Sequence, residues 1–249
     1  MGRRFARALH SNLYAEPLCG RVRHAALTIV LGSFLATPAV SQSKGPGESA
    51  IDSPIKNQTA ELRGESSRSL ADWVVATGDH GGVSFIIIDK KSTALEVYDA
   101  RGKLLASTPV LLGSAVGDDT VPGIGDKPLA QVLPHERTTP AGRFIAERGR
   151  NAKGFDVVWI DYDAAVSLHR VINNVASERR LQRLASPTTS DNRISYGCVN
   201  IPVAFYESTI RPMFATHRAV VYVMPEQRTL QQVFGIDTSR QAIRSVAPR

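Results

Sequence analysis

Hydrophobic and polar positions along this 249-residue chain fall into short blocks with two different periods. Val83–Ile88 is a continuous apolar run bounded by Gly82 and Asp89, which predicts a strand. In Thr93–Tyr98 the apolar residues alternate, with Leu95 and Val97 on one face. Asp99-Ala100-Arg101-Gly102 predicts a turn, and Lys103–Leu112 the next strand, so these segments form an antiparallel meander. Thr139–Phe144 and Asp156–Ile160 predict further strands, and Ala219–Met224 a last buried one. Helical spacing is confined to two places. One is a short helix capped by Ser69, with Leu70, Trp73 and Val74 on one side and Gly78 as its stop; the other is Pro202–Phe214, with Pro202 in the first turn.

Between these blocks lie two long aperiodic stretches. Gly113–Pro134 is rich in Gly, Pro and Asp and reads as a loop. Arg170–Arg193 is polar and irregular, with one helical piece at Ser177–Leu184, and its length points to a functional loop rather than a simple connection. Residues 42–68 carry few large apolar side chains and read as a flexible spacer. From Pro225 onward no pattern stands out. These blocks point to a mainly β (α+β) class with a few short helices.

The N-terminus changes the setting. Arg3, Arg4, Arg7, Arg21 and Arg23 precede an apolar run from Ala25 to Leu35, and Ala39 and Ser41 form a small-residue cleavage site. Residues 1–41 therefore read as a signal peptide, the run being too short for a comfortable membrane span. The formal charge of +7 shrinks to +3 once the five Arg and one Glu of that segment are removed, too mild an excess to argue for nucleic acid. Only two cysteines occur, and Cys19 lies within the signal. An exported chain with a single thiol, Cys198, cannot use it for an internal disulfide.

Cys198 sits in Arg193-Ile194-Ser195-Tyr196-Gly197-Cys198-Val199-Asn200, a turn of small residues. Thiol catalysis needs a base, an orienting group for it and donors to a developing oxyanion. His169, after apolar-flanked Val166-Ser167-Leu168, is the candidate base, and the amides of Gly197 and Cys198 are the candidate oxyanion donors. Singly, each residue has a plainer explanation: a small buried side chain for the cysteine, a surface or satisfied core residue for the histidine. His80 and His135 fall in loops and are expected to face solvent. No cysteine pair and no histidine pair at ligand spacing argues for a metal.

Residues about 83–224 resemble an L,D-transpeptidase catalytic domain of the YkuD type. The matching features are His169, then Ser195-Tyr196-Gly197-Cys198-Val199-Asn200, with Thr139-Pro140-Ala141-Gly142-Arg143-Phe144 upstream and the strand pair Phe85–Tyr98. The resemblance implies a β-sandwich of mixed strands with a few short helices and a long capping loop before Cys198, with residues 81–225 as the catalytic domain, residues 42–80 as linker and short helix, and residues 226–249 as a tail. It implies a periplasmic or wall-exported enzyme acting on peptidoglycan stem peptides without a cofactor. Cys198 would attack the third stem residue and expel the terminal D-Ala, His169 would serve as base and acid, and the Arg170 carbonyl would orient His169. Ser195, Tyr196 and Asn200 would contact substrate. Tyr196 stands where many members have His, Arg170 where many have Gly or Ser, and the 29 residues from His169 to Cys198 exceed the usual gap. The excess reads as a cap whose Arg170, Arg179, Arg180 and Arg183 meet stem-peptide carboxylates, or as a plain solvated loop. Two other readings stand beside the transpeptidase: an L,D-carboxypeptidase or hydrolase using the same thioester, and a wall-binding protein without catalysis.

Overall fold

The computed structural model describes residues 66–236. The signal peptide and most of the spacer expected before Ser66 lie outside the described residues, as does the chain after Ile236. Helix α1 covers residues 66–77. Ten strands follow: β1 Phe85–Asp89, β2 Ala94–Tyr98, β3 Leu104–Pro109, β4 Leu112–Gly113, β5 Gly142–Arg150, β6 Asp156–Asp161, β7 Val166–Arg170, β8 Arg193–Ser195, β9 Val199–Ile201 and β10 Ala219–Val223. Short helices are α2 Arg180–Leu184, α3 Val203–Phe205, α4 Arg211–Met213 and α5 Leu230–Phe234. No helix among the described residues is long and apolar enough to cross a membrane.

Eight strands hydrogen-bond in the order β3-β2-β1-β10-β5-β6-β7-β9, and β4 pairs with β8. The sheet is mixed: β1–β10 and β7–β9 are parallel, and the other five pairings are antiparallel. β5 changes partner along its length, pairing with β10 through Ala146 and with β6 from Glu147. There the sheet folds over on itself. One apolar cluster accordingly draws Ile86, Ile88, Leu95 and Val221 from one half and Val158, Leu168, Val199 and Ile201 from the other. A reciprocal backbone pair between Leu111 and Asn200, both bonds 2.9 Å, ties β9 back to the segment after β3. This is the mainly-β architecture with few short helices that the alternating pattern predicts.

β1 shows why one strand lacks alternation. Ile86 and Ile88 face the inner cluster, while Phe85 and Ile87 face a second cluster roofed by α1 (Leu70, Ala71, Val74) and by Ile236. With both faces buried, every position from Phe85 to Ile88 is apolar. Several expectations need correction. α1 is already under way at Ser66, so Ser69 is not its cap; Ser67, Leu70, Ala71 and Val74 form its buried stripe at helical spacing. Gly78, at φ +68°, ends it as expected. His80 does not face solvent: it is buried, its ring nitrogens 3.2 Å from the Val74 carbonyl and 3.0 Å from that of Ala100. The helix expected over Pro202–Phe214 is present, with a widened π-turn at Tyr206–Ile210 just before Pro212. The wider turn relieves the missing proline N–H and its clash with the preceding turn. Residues 226–236, assigned to the tail, pack on the domain through α5, which Thr229 caps from its side chain to the Gln232 amide.

One buried polar cluster pins the long loop after β4. Lys90 is fully buried, and its ammonium donates to Gly117 O, Asp118 Oδ1 at 2.7 Å and Thr139 O at 3.0 Å. Asp118 also accepts the backbone amides of Glu226, Gln227 and Arg228 at 2.7–2.9 Å. Burial pushes the Asp118 carboxyl up, but the Lys90 bond and these amides outweigh it and hold the group at about 2.

Candidate active site

β7 and β9 lie side by side in parallel, with Leu168 opposite Val199 and His169 opposite Asn200. Leu168 and Val199 point into the inner cluster. Successive side chains alternate across a strand, so Ser167, His169 and Cys198 share the opposite face. Cys198 and His169, 29 residues apart in sequence, thus meet through a parallel pairing.

The turn before Cys198 is clamped from three sides. Ser195 Oγ donates to Cys198 O at 2.6 Å and accepts the Gly197 amide at 3.1 Å. Thr139 Oγ donates to Gly197 O at 2.8 Å and accepts the Gly113 amide at 2.9 Å. Gly197 has φ +128°, and a Cβ there would stand 2.8 Å from Thr138 O. Only glycine meets both demands.

His169 Nδ1 lies 2.8 Å from the carbonyl of Arg170. A carbonyl only accepts, so Nδ1 carries a proton and Nε2 is the nitrogen left to exchange one with the thiol. Around the sulfur, Ala165 O accepts the Cys198 thiol at 3.5 Å, and Ser167 Oγ lies 3.7 Å away. Burial pushes the Cys198 thiol up, but hydrogen bonding to His169, its charge and both the amide and hydroxyl of Ser167 outweigh that and hold it below the usual thiol value. The neutral thiol has an acceptor and the thiolate has donors, which is the environment of a reactive cysteine.

Other expected site residues are placed differently. The Gly197 amide is not available to an oxyanion, because the Ser195 hydroxyl takes it. Ser195 and Asn200 are buried and cannot touch substrate. Ser195 braces the turn, and Asn200 donates to Cys198 O at 3.3 Å while accepting from Arg180 at 2.7 Å. Tyr196 is 38% exposed, with the Arg137 guanidinium 4.2 Å above its ring centroid. The loop arginines expected to meet carboxylates are mostly committed within the protein. Arg170 pairs with Asp156 at 3.0 Å and Glu207 at 2.5 Å, Arg180 with Glu178 at 2.6 Å, and Arg183 donates to the carbonyls of Glu178 and Asp191. Arg179 is exposed, at φ +50°. The sequence reading missed Ser167 and the clamping role of Thr139; the first was legible as the position two before His169 on one strand face. Among the described residues no three His, Cys, Asp or Glu side chains gather as a metal site.

No protein-family model and no curated protein matches this sequence. Among solved structures, those similar to it are mostly L,D-transpeptidase catalytic domains. The L,D-transpeptidase from Mycobacterium smegmatis is 16% identical, with TM-score 0.33, over 57% of this chain and 58% of that one. The helical cell shape determining protein Pgp2 from Campylobacter jejuni is 14% identical, with TM-score 0.40, over 65% of this chain and 57% of that one. The catalytic domain of the E. faecium L,D-transpeptidase is 18% identical, with TM-score 0.31, over 57% of this chain and 98% of that domain. The chain thus spans less than two thirds of the first two.

Proposed function

We propose that this protein is a cysteine-dependent L,D-transpeptidase acting on peptidoglycan stem peptides outside the cytoplasm. The observation that carries the reading is the pairing of Cys198 with His169 on adjacent strands, with His169 Nδ1 held by the Arg170 carbonyl. The ordered match of Thr139–Phe144, His169 and Ser195–Asn200 to the family pattern supplies the substrate class.

In this reading His169 Nε2 takes the Cys198 proton, and the sulfur attacks the carbonyl of the third stem residue. The C–N bond to the terminal D-Ala breaks, His169 returns its proton to the leaving amine, and a thioester remains. An acceptor amine from a second stem then attacks the thioester, forming the new amide and freeing the thiol. The Cys198 amide is the backbone donor for the oxyanion, since Thr139 holds the Gly197–Cys198 peptide by its carbonyl and so sets where that amide points. Ser167 stabilises the thiolate as it forms.

Products from a disaccharide-tetrapeptide test the reading. A cross-linked dimer, absent with Cys198→Ala, supports the transferase. Tripeptide without dimer moves the assignment to an L,D-carboxypeptidase, with water resolving the same thioester. Neither product from a folded protein contradicts both.

A further inference from the structure

Arg137 is an uncompensated cation at the rim of the candidate site. It makes no ion pair among the described residues, whereas Arg170, Arg180 and Arg193 nearby are each paired with a carboxylate. Its guanidinium lies over the ring of Tyr196, two residues before the nucleophile, at 4.2 Å. One terminal nitrogen, Nη2, donates to Val132 O at 3.2 Å. Among the described residues, Nε is buried without an acceptor and none takes Nη1. The backbone beside it is rigidly set: Arg137 O accepts the Ala115 amide at 3.0 Å, and the next two residues abut Gly197, Thr138 through its carbonyl and Thr139 through its hydroxyl.

A guanidinium over an aromatic ring can still offer its in-plane N–H groups to an anion, and here Nη1 is the group that neither a protein acceptor nor burial takes among the described residues. A part-buried cation with an unfilled donor is more strongly attracted to such an anion than a solvated lysine would be. We propose that Arg137, seated on Tyr196, is an anion-binding subsite beside Cys198 that takes a carboxylate of the acyl donor. The substrate is then an acidic peptide, bound with its carboxylate on the Tyr196 side of the thiol. The Tyr196 ring serves as the platform that holds the guanidinium level. This deepens the assignment of Cys198 as nucleophile and rests on it.

The test compares alkylation of Cys198 by iodoacetate, which is anionic, and iodoacetamide, its neutral isostere, in the native protein, Arg137→Gln and Arg137→Lys. Intact mass gives the two rates. Native protein is expected to favour iodoacetate more than Arg137→Gln does, by about fivefold in the ratio of rates, and more strongly at low salt. Arg137→Lys should retain part of the preference, since it keeps the charge and loses the stack. A merely structural Arg137 would change both rates together and leave their ratio fixed, which overturns the proposal. Equal ratios in native and Arg137→Gln with an intact iodoacetamide rate overturn the anion subsite alone. No reaction with either reagent in folded native protein overturns the nucleophile and the subsite together.

Discussion

Replacing Asp118 by Asn should cost far more than its place in an irregular loop suggests. The substitution keeps the shape and removes the charge that faces the Lys90 ammonium at 2.7 Å, where both side chains are almost wholly excluded from solvent. Lys90 would keep only Glu226, at 3.6 Å, as a counter-charge, and Glu226 is already shared with Arg193. Breaking a buried ion pair by removing one partner costs about 3–5 kcal/mol. The remaining link to Glu226 favours the lower end, about 3 kcal/mol, against a typical total of about 5–15 kcal/mol. For a domain of this size that is a fall in Tm of roughly 6–12 °C. Thermal unfolding followed by circular dichroism measures it, with Asp119→Ala, at a 77% exposed side chain, as a control expected to shift Tm by less than about 2 °C. The Asp118 carboxyl is depressed to about 2, so its contribution is present above the ordinary carboxylate range and is lost as pH falls toward 2. The native protein should therefore lose its advantage over Asp118→Asn in that acid window. A Tm difference under about 3 °C at neutral pH, or one that persists unchanged at pH 2, would refute the reasoning.

Two further substitutions probe the turn and the thiol. Gly197→Ala should lose about 2–4 kcal/mol in urea unfolding, from the positive φ and the approach to Thr138 O together, and should suppress Cys198 alkylation; a loss under 1 kcal/mol would show that the turn yields. Ser167→Ala removes a hydroxyl donor to the sulfur, and hydrogen bonds to charged groups are worth about 1.5–3 kcal/mol. Losing that donor raises the thiol pKa, so iodoacetamide should react several-fold more slowly at neutral pH while the rate at high pH is unchanged. An unchanged midpoint in the pH–rate profile would remove Ser167 from the site.

The sequence was most legible where burial alone decides the residue type. β1 reads as a buried strand because both its faces are covered, and β2 alternates because the two sides of the meander differ. Cys198 and His169 were singled out by the expected export signal, the lone thiol after it and the motif, and the Arg170 carbonyl by the resemblance. Their meeting depends on the parallel β7–β9 pairing, which no local pattern encodes. The use of the Gly197 amide was illegible for a related reason. It is settled by the Ser195 side chain, two residues away, reaching back into the turn. Nothing next to Lys90 in the sequence signals its burial, which is set by Asp118 and Glu226, 28 and 136 positions away. The contribution of residues 226–228 was hidden because it is made by backbone amides, which carry no sequence signature. His80 was misread because a loop position says nothing of the carbonyls that surround it.

The central claim is that Cys198 is an acylating nucleophile set by His169. Intact mass after incubation with a disaccharide-tetrapeptide tests it most directly, with Cys198→Ala and His169→Gln alongside the native protein. The account predicts an adduct equal to the substrate minus its terminal D-Ala on native protein, none on Cys198→Ala, and a strongly slowed one on His169→Gln. A native thiol that iodoacetamide alkylates readily at neutral pH, yet that never acquires the acyl group, would contradict it.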